Sequence, residues 1–245
     1  MKNLLDSHTH TLASGHAYNT ITEMVQAASR KGLSLLAITE HAEMMPGSCN
    51  NIYFQNLKVL PHRMAGIEVL YGVEANIMNY AGELDVPERI LSQLDVVIAS
   101  LHLPCIKPGT REVNTQAVLR AIENPLVDII GHPDDGRYPL DYEKIVSAAR
   151  EHHVLLELNN HSLDPSCARE NTWENVQIML KLCREYGVSI IMDSDAHWCE
   201  DIADCRYSLP LLQELDFPME LVVNRSVELY KSYLHRFSAR RRSDA

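Results

Sequence analysis

Nine side chains of this 245-residue sequence carry the donor atoms of a metal centre: seven histidines, His8, His10, His16, His41, His102, His132 and His197, and two carboxylates, Glu74 and Asp195. Neutral imidazole and ionised carboxylate suit zinc, manganese or iron, whereas a purely structural zinc cluster draws mainly on cysteine. His8 and His10 stand two apart in Asp6-Ser7-His8-Thr9-His10, and Asp195 and His197 repeat that spacing in Asp193-Ser194-Asp195-Ala196-His197. Residues two apart in an extended segment project to the same side, so each pair can chelate one ion without straining the backbone. Taken alone, His-Thr-His is equally compatible with two polar residues on an exposed edge. Nine donors, however, exceed the needs of one tetrahedral ion, and two or three ions is the economical inference. Bound divalent ions lower the pKa of water and act as Lewis acids, so the expected chemistry is metal-dependent hydrolysis.

Most of these residues sit one or two positions past a short apolar run, and the polar end of a parallel strand is where α/β folds deliver side chains to a shared cavity. Strands are expected at Leu4–Ser7, Leu33–Thr39 (with Glu40-His41 at its polar end), Ile67–Val73, Val96–Ser100, Val127–Ile130, Val154–Leu158 and Val188–Met192. Between them, helical spacing begins at Thr20 with Ile21, Met24, Val25 and Ala28 and stops at Gly32, and it returns in Asn114–Glu123, Tyr142–His152 and Thr172–Tyr186. Val176, Met179, Leu180 and Cys183 form the i, i+3, i+4, i+7 stripe of a helix covering a barrel. About seven strand–helix units result, near the eight of a full barrel. Met44-Met45 and Tyr53–Leu60 follow the second strand and are candidates for a mobile wall over the cleft.

The chain is 46% hydrophobic, enough for a full core in one α/β barrel or two small domains. No apolar stretch approaches the roughly 20 residues of a membrane span, and the first residues lack a signal-peptide layout, so a cytoplasmic location is expected. Six cysteines without a CxxC pair are expected to be reduced, Cys183 in the core, with Cys105 and Cys199 near His102 and His197 as weaker metal candidates. A formal charge of −11 argues against a nucleic-acid face, and the balance stays acidic even with three divalent cations bound. Arg240-Arg241-Arg242 reads as a solvated tail.

In combination these motifs resemble the polymerase and histidinol phosphatase superfamily, the PHP domain. Asp6-Ser7-His8-Thr9-His10 is similar to its first motif, Ile38-Thr39-Glu40-His41 to its second and Gly72-Val73-Glu74-Ala75-Asn76 to its third; Ser100-Leu101-His102, Ile130-Gly131-His132-Pro133 and Asp193-Ser194-Asp195-Ala196-His197 match the remainder. The resemblance spans essentially the whole length and is nearest to the stand-alone trinuclear-zinc phosphatases. It implies an α/β fold, a distorted seven-stranded (β/α)7 TIM-like barrel, as a single domain over residues 1–237 with a flexible tail at 238–245. It further implies three divalent ions, zinc foremost, with manganese or iron as substitutes. His8, His10, Glu74 and Asp195 would surround one ion; Glu74 would bridge to a second held by His102 and His132; His16, His41 and His197 would hold the third. His8, His10, Glu74, Asp195 and His197 would act in catalysis through these ions.

Beyond the ligands, Glu40, Asn76 and Asp193 flank them and could orient imidazoles, though turn or cap roles fit equally. Arg137, Arg111 and His161 are candidates to contact substrate, His161 as proton donor to the leaving group. His62, His152, His153 and His235 need no metal. The leading reading is hydrolysis of a small phosphomonoester. Histidinol-phosphate phosphatase or nuclease activity, and a non-enzymatic metal-binding module, are the alternatives. Neither substrate nor oligomeric state is fixed by the sequence.

Overall fold

A computed structural model describes residues 3–238. Its elements run β1 (Leu5–Asp6), α1 (Ile21–Arg30), β2 (Leu35–His41), α2 (Asn51–Asn56), β3 (Arg63–Met64), β4 (Ile67–Asn76), α3 (Glu88–Leu91), β5 (Val96–Ser100), α4 (Arg111–Glu123), β6 (Ile129–Ile130), α5 (Tyr142–His152), β7 (Leu155–Asn159), α6 (Thr172–Tyr186), β8 (Ile190–Asp193), α7 (Ser208–Glu214) and α8 (Val227–Tyr233). Seven strands pair in parallel in the order β1-β2-β4-β5-β6-β7-β8, with β3 antiparallel on β4, so the expected α/β barrel of seven strands is the observed fold. The expected boundary of the tail falls at the edge of the described residues, and Arg240-Arg241-Arg242 lies outside them.

Helix termini follow local chemistry. Thr20 and Glu23 form a reciprocal capping box on α1, the Glu23 amide donating to Thr20 Oγ1 at 3.3 Å and the Thr20 amide to Glu23 Oε2 at 2.7 Å; such a cap stabilises a helix by about 1 kcal/mol. The α6 stripe Val176, Met179, Leu180 and Cys183 is buried as its spacing predicts, and Gly187 at φ 67° ends that helix. These helices press on the outer faces of the strands, where Leu36, Ile38, Val69, Tyr71, Val73, Val97, Ile130, Leu156 and Leu158 belong to the large core.

The inward faces form a second core: Leu5, Leu35, Ala37, Leu70, Val96, Ile98, Ile129, Leu155 and Ile191, closed from below by Val223, Tyr230 and Leu234. Side chains alternate with period two, so each inward column continues upward at i+2 and i+4. There the residues change character, to Thr39 and His41 on β2, Glu74 and Asn76 on β4, Ser100 on β5, Glu157 and Asn159 on β7 and Asp193 on β8, all buried. The lumen is therefore apolar in its lower half and polar in its upper half. That division positions the site.

β8 and β1 are not joined by a strand ladder. Low in the seam Asn224 substitutes for one: its Nδ2 donates to Met192 O at 2.7 Å and Leu5 O at 3.2 Å, its Oδ1 accepts from the Met192 amide at 2.8 Å, and its backbone oxygen accepts from Leu4. Higher up, Asp193 accepts from the Ser7 amide and hydroxyl at 2.7 Å each, Asp6 accepts from the Ser194 amide and hydroxyl, and the His10 amide donates to Ala196 O.

β1, β6 and β8 are shorter than the apolar runs predict and β7 is shifted by one residue; in β6, β7 and β8 the first residues of the run, Val127, Val154 and Val188, belong to the outer core before the ladder begins. β2 and β4 instead extend through their polar ends to His41 and Asn76. α4 begins at Arg111 rather than Asn114. Of the residues considered for a mobile wall, Phe54 and Leu57 are buried in the outer core, Met45 lines the cleft and Met44 is exposed. All six cysteines are free.

Candidate metal centre

Glu74 is the hub. It ends the inward column of β4 with no exposed surface, and five imidazoles reach its two oxygens: on Oε2, His41 Nδ1 at 2.6 Å, His8 Nε2 at 3.3 Å and His10 Nε2 at 3.6 Å; on Oε1, His132 Nε2 at 2.9 Å and His102 Nε2 at 3.1 Å. Asp195 Oδ1 closes the group, 3.3 Å from His10 Nε2 and 3.6 Å from His8 Nε2. His197 and His16 face each other through Nε2 at 3.1 Å, with ring centroids 4.4 Å (His10 to His197) and 4.9 Å (His16 to His41) apart. All nine sequence-derived donors thus meet in one place.

Partners behind the rings fix which nitrogen points inward. Glu157 Oε1 takes His8 Nδ1 at 2.7 Å, Asn76 Oδ1 takes His102 Nδ1 at 2.7 Å, and the Asp195 carbonyl takes His197 Nδ1 at 2.9 Å. His10 Nδ1 meets Ser14 Oγ at 3.0 Å, and that hydroxyl donates to Glu40 Oε2 at 2.6 Å. Such partners set tautomer and orientation and leave the opposite nitrogen free to bind. Of the two roles the sequence left open, Asn76 takes the orienting one directly on His102, and Glu40 reaches His10 through Ser14. Asp193 instead ties β8 to Ser7.

Four buried atoms at the centre, His8 Nε2, His10 Nε2, His41 Nδ1 and Glu74 Oε2, make no hydrogen bond of acceptable geometry, although His41 Nδ1 and His8 Nε2 lie 2.6 and 3.3 Å from that oxygen. An unpaired buried polar group costs about 1–3 kcal/mol, so four converging on one point call for a ligand. Donor atoms within 4.8 Å of one another form three groups: His8, His10 and Glu74; His41, Glu74 and His102; His10, His41 and His197. The residues therefore fit divalent cations. His41 joins two of these groups, so the geometry does not by itself divide the rings as the resemblance implies. No cysteine joins any group among the described residues.

Electrostatics mark the same centre. Burial alone would raise Glu74, yet the imidazoles of His102, His8 and His41 hold it well below the usual carboxylate range. Asp195 is likewise held down against burial by His8, His10 and Arg169. Burial, reinforced by His41 and His197, keeps His10 well below an ordinary histidine and hence neutral, the form that ligates. The backbone is unusual here too: His132 and Asp195 have φ of 29° and 56°, a region non-glycine residues adopt infrequently. Before His132, a Cβ on Gly131 would lie 2.2 Å from Ser100 Oγ, so only glycine lets the chain pass.

A cavity of about 510 Å³ opens over the centre, lined by His16, His41, His102, Asp195 and His197, and by Arg169 and His161. Of the three sequence candidates for substrate contact, His161 lines it. Arg137 and Arg111 do not, because nearer acceptors capture their guanidiniums: Arg137 pairs with Asp135 at 2.6 Å, and Arg111 Nε donates to Leu140 O. Two residues were missed. Arg169 donates to Asp195 Oδ2 at 3.0 Å and to Ser162 Oγ at 2.8 Å, but its loop has no periodicity to single it out. Glu157 was detectable, as the one charge inside the apolar run Val154–Leu158. His62, His153 and His235 lie elsewhere, against Asp95, Tyr233 and Asp128 respectively.

A family model described as the PHP domain matches residues 6–165. A probable phosphatase of Caldicellulosiruptor saccharolyticus is 49% identical over 230 residues, covering 94% of this chain and 95% of its own. One from Clostridium novyi is 45% identical over 234 residues, covering 96% and 95%. Among solved structures, histidinol phosphate phosphatase of Lactococcus lactis, complexed with zinc, L-histidinol and phosphate, superposes with a TM-score of 0.62 at 20% identity, over 88% of this chain and 95% of that one. At that identity the likeness speaks for the fold.

Proposed function

The chain belongs to the PHP domain family, and from that premise we propose that it is a metal-dependent phosphatase hydrolysing a small phosphomonoester. The observation that carries this reading is the convergence of unpaired buried nitrogens of His8, His10 and His41 and an oxygen of Glu74 beneath an open cavity. In this reading His8, His10, Glu74 and Asp195 hold one divalent ion, Glu74 with His102 and His132 a second, and His16, His41 and His197 a third. Zinc is the first choice for this donor set, with manganese and iron accepted by the same chemistry. When bound, such ions make water a nucleophile near neutral pH and offset negative charge on phosphoryl oxygens.

The chain's own residues supply the rest. Arg169 lines the cavity with its guanidinium already oriented by Asp195 and Ser162, and a fixed planar cation at that point suits a phosphoryl oxygen. Glu157, Asn76 and Ser14 hold the imidazoles of His8, His102 and His10 so that no reorganisation is needed on binding. The wall away from the imidazoles carries Asp164 and Asp201 and an Asp204–Arg206 pair, a polar surface for the alcohol portion of the ester.

The test is phosphate release from a panel of monoesters, histidinol phosphate included, by protein loaded with zinc or manganese. His10→Ala, Glu74→Ala and His197→Ala are each expected to lose activity together with bound metal. Full turnover in these variants, or full metal occupancy of the wild type with no hydrolysis across the panel, refutes the assignment.

A further inference from the structure

We propose that His161 donates the proton that the departing alcohol needs, with Cys167 as the residue that positions its ring; the inference rests on the phosphomonoesterase reading above. His161 begins the turn that follows β7 and lies on the cavity wall outside the set of nine donors. Its backbone is clamped on both sides. The Asn160 amide donates to Asp193 O at 2.8 Å, Asn160 Oδ1 accepts from the Tyr207 and Ser208 amides at 3.1 Å each, and the Ser162 amide donates to Asn159 Oδ1 at 3.0 Å. The side chain is thereby presented from a fixed point into the space above Asp195.

Elimination favours it. An alcohol is a poor leaving group unless its oxygen is protonated as the bond to phosphorus breaks, and a positioned acid contributes about 10²–10⁴ in rate. Among the described cavity-lining groups, the guanidiniums of Arg169 and Arg206 do not release protons. Asp164 accepts from Ser166, which favours its ionised form, Asp204 is paired with Arg206, and Asp201 is a carboxylate as exposed as His161 itself. The remaining imidazoles on the wall belong to the metal centre. Outside the metal centre, His161 is the described lining residue whose side-chain type changes charge nearest neutral pH.

Cys167 holds it ready. The loop doubles back through the Cys167 amide, which donates to Asp164 O at 2.9 Å, and places Cys167 among the groups whose field acts on His161. Cys167 is the largest influence on this exposed ring and outweighs its partial desolvation, raising His161 above an ordinary histidine. Asp195 reinforces the effect and Arg169 opposes it; Asp164 on the same loop also faces the ring. In the step itself, a water oxygen bonds to phosphorus as the phosphorus–alcohol oxygen bond breaks. The electron pair stays on the alcohol oxygen, which takes the imidazolium proton. Alcohol and inorganic phosphate depart, and the neutral ring recovers a proton equivalent to the one the water lost.

The experiment compares glycerol 2-phosphate with 4-nitrophenyl phosphate, whose leaving group needs no proton, using zinc-loaded protein. His161→Gln is expected to lower kcat on the alkyl ester by about 10²–10³ and on the aryl ester by less than about fivefold, and to abolish the alkaline limb of the alkyl profile. Cys167→Ala is expected to move that limb to lower pH, and Cys167→Ser, which keeps a hydrogen-bonding atom, to restore it. NMR titration of the imidazole, assigned through His161→Gln, is expected to show the same displacement without turnover. Equal losses on the two esters, or an unmoved limb and unmoved NMR titration in Cys167→Ala, overturn the proposal. A wild-type protein that hydrolyses neither ester instead refutes the phosphatase reading beneath it.

Discussion

Replacing Glu157 by glutamine isolates the contribution of a carboxylate that touches no ion. Glu157 has no exposed surface and spends both oxygens: Oε1 on His8 Nδ1 at 2.7 Å, and Oε2 on the His132 amide at 2.6 Å and on Asn159 Nδ2 at 3.2 Å. Glutamine has the same shape but one acceptor oxygen and one donor NH2. Whichever way the amide turns, a donor faces a donor, at His8 or at the His132 amide. Losing a carboxylate behind a ligating histidine costs about 10–100-fold in metal affinity, or about 1.4–2.7 kcal/mol, comparable to the about 1–3 kcal/mol of one unsatisfied buried donor. Competition against a chromophoric chelator, with metal counted by plasma emission, should show one class of ion weakened by that factor and the others bound as before. Affinity within twofold of wild type for every ion would mean that Glu157 does not set the orientation of His8, and the account of the centre's preorganisation would fail.

Asn224→Ala removes three buried hydrogen bonds from the β1–β8 seam and is expected to cost about 3 kcal/mol in urea unfolding; a loss below about 1 kcal/mol would show that the seam closes without it. Metal removal with a strong chelator should lower the unfolding midpoint by roughly 5–10 °C per ion lost, since an ion at 100 times its Kd stabilises by about 2.7 kcal/mol, and calorimetry with zinc returned should recover it. Burial pushes the Asp134 carboxyl up to about 7 despite Arg169. With the folded value above the unfolded one, the contribution of this group to stability is present below about pH 4 and lost as pH rises through 7. Asp134→Asn should therefore flatten that loss in metal-stripped protein, gaining up to about 4 kcal/mol at pH 8 relative to pH 4, and denaturant curves with an unchanged pH slope would contradict it.

The elements legible in the sequence are those whose burial is periodic over many residues. α5 and α6 match their predicted limits, and β2, β4 and β5 are found at their apolar runs, because burial of one helical stripe or of both strand faces leaves a strong pattern. The short helices α2, α3, α7 and α8 escaped notice, since four to seven residues hold too few turns for a period to register. Asn224 could not be read as a barrel-closing residue because its role depends on two strands more than 30 and 200 positions away. The convergence of the nine candidate donors was legible because their chemistry is rare and most lie at or just past the polar end of a strand. Which arginines line the cavity was not legible, for the opposite reason. Guanidiniums are long and find the nearest acceptor, so Arg137 turns to Asp135 while Arg169, in an unpatterned loop, reaches Asp195.

The position of the centre follows from the same alternation that builds the barrel. Leu70, Gly72 and Glu74 share one inward column, as do Leu155, Glu157 and Asn159, so two residues of strand separate hydrocarbon from carboxylate. The lower half contributes stability through burial, at about 1.5–3 kcal/mol for each enclosed leucine or isoleucine. It also anchors the strand ends that carry charge. The upper half does the reverse, crowding imidazoles, carboxylates and two positive-φ residues around unpaired atoms. A one-residue register shift in β4 would turn Glu74 outward into the helix layer and bring Val73 inward, exchanging hub for hydrocarbon. Register is thus specified from both ends at once, by the apolar lumen below and by the buried polar deck above.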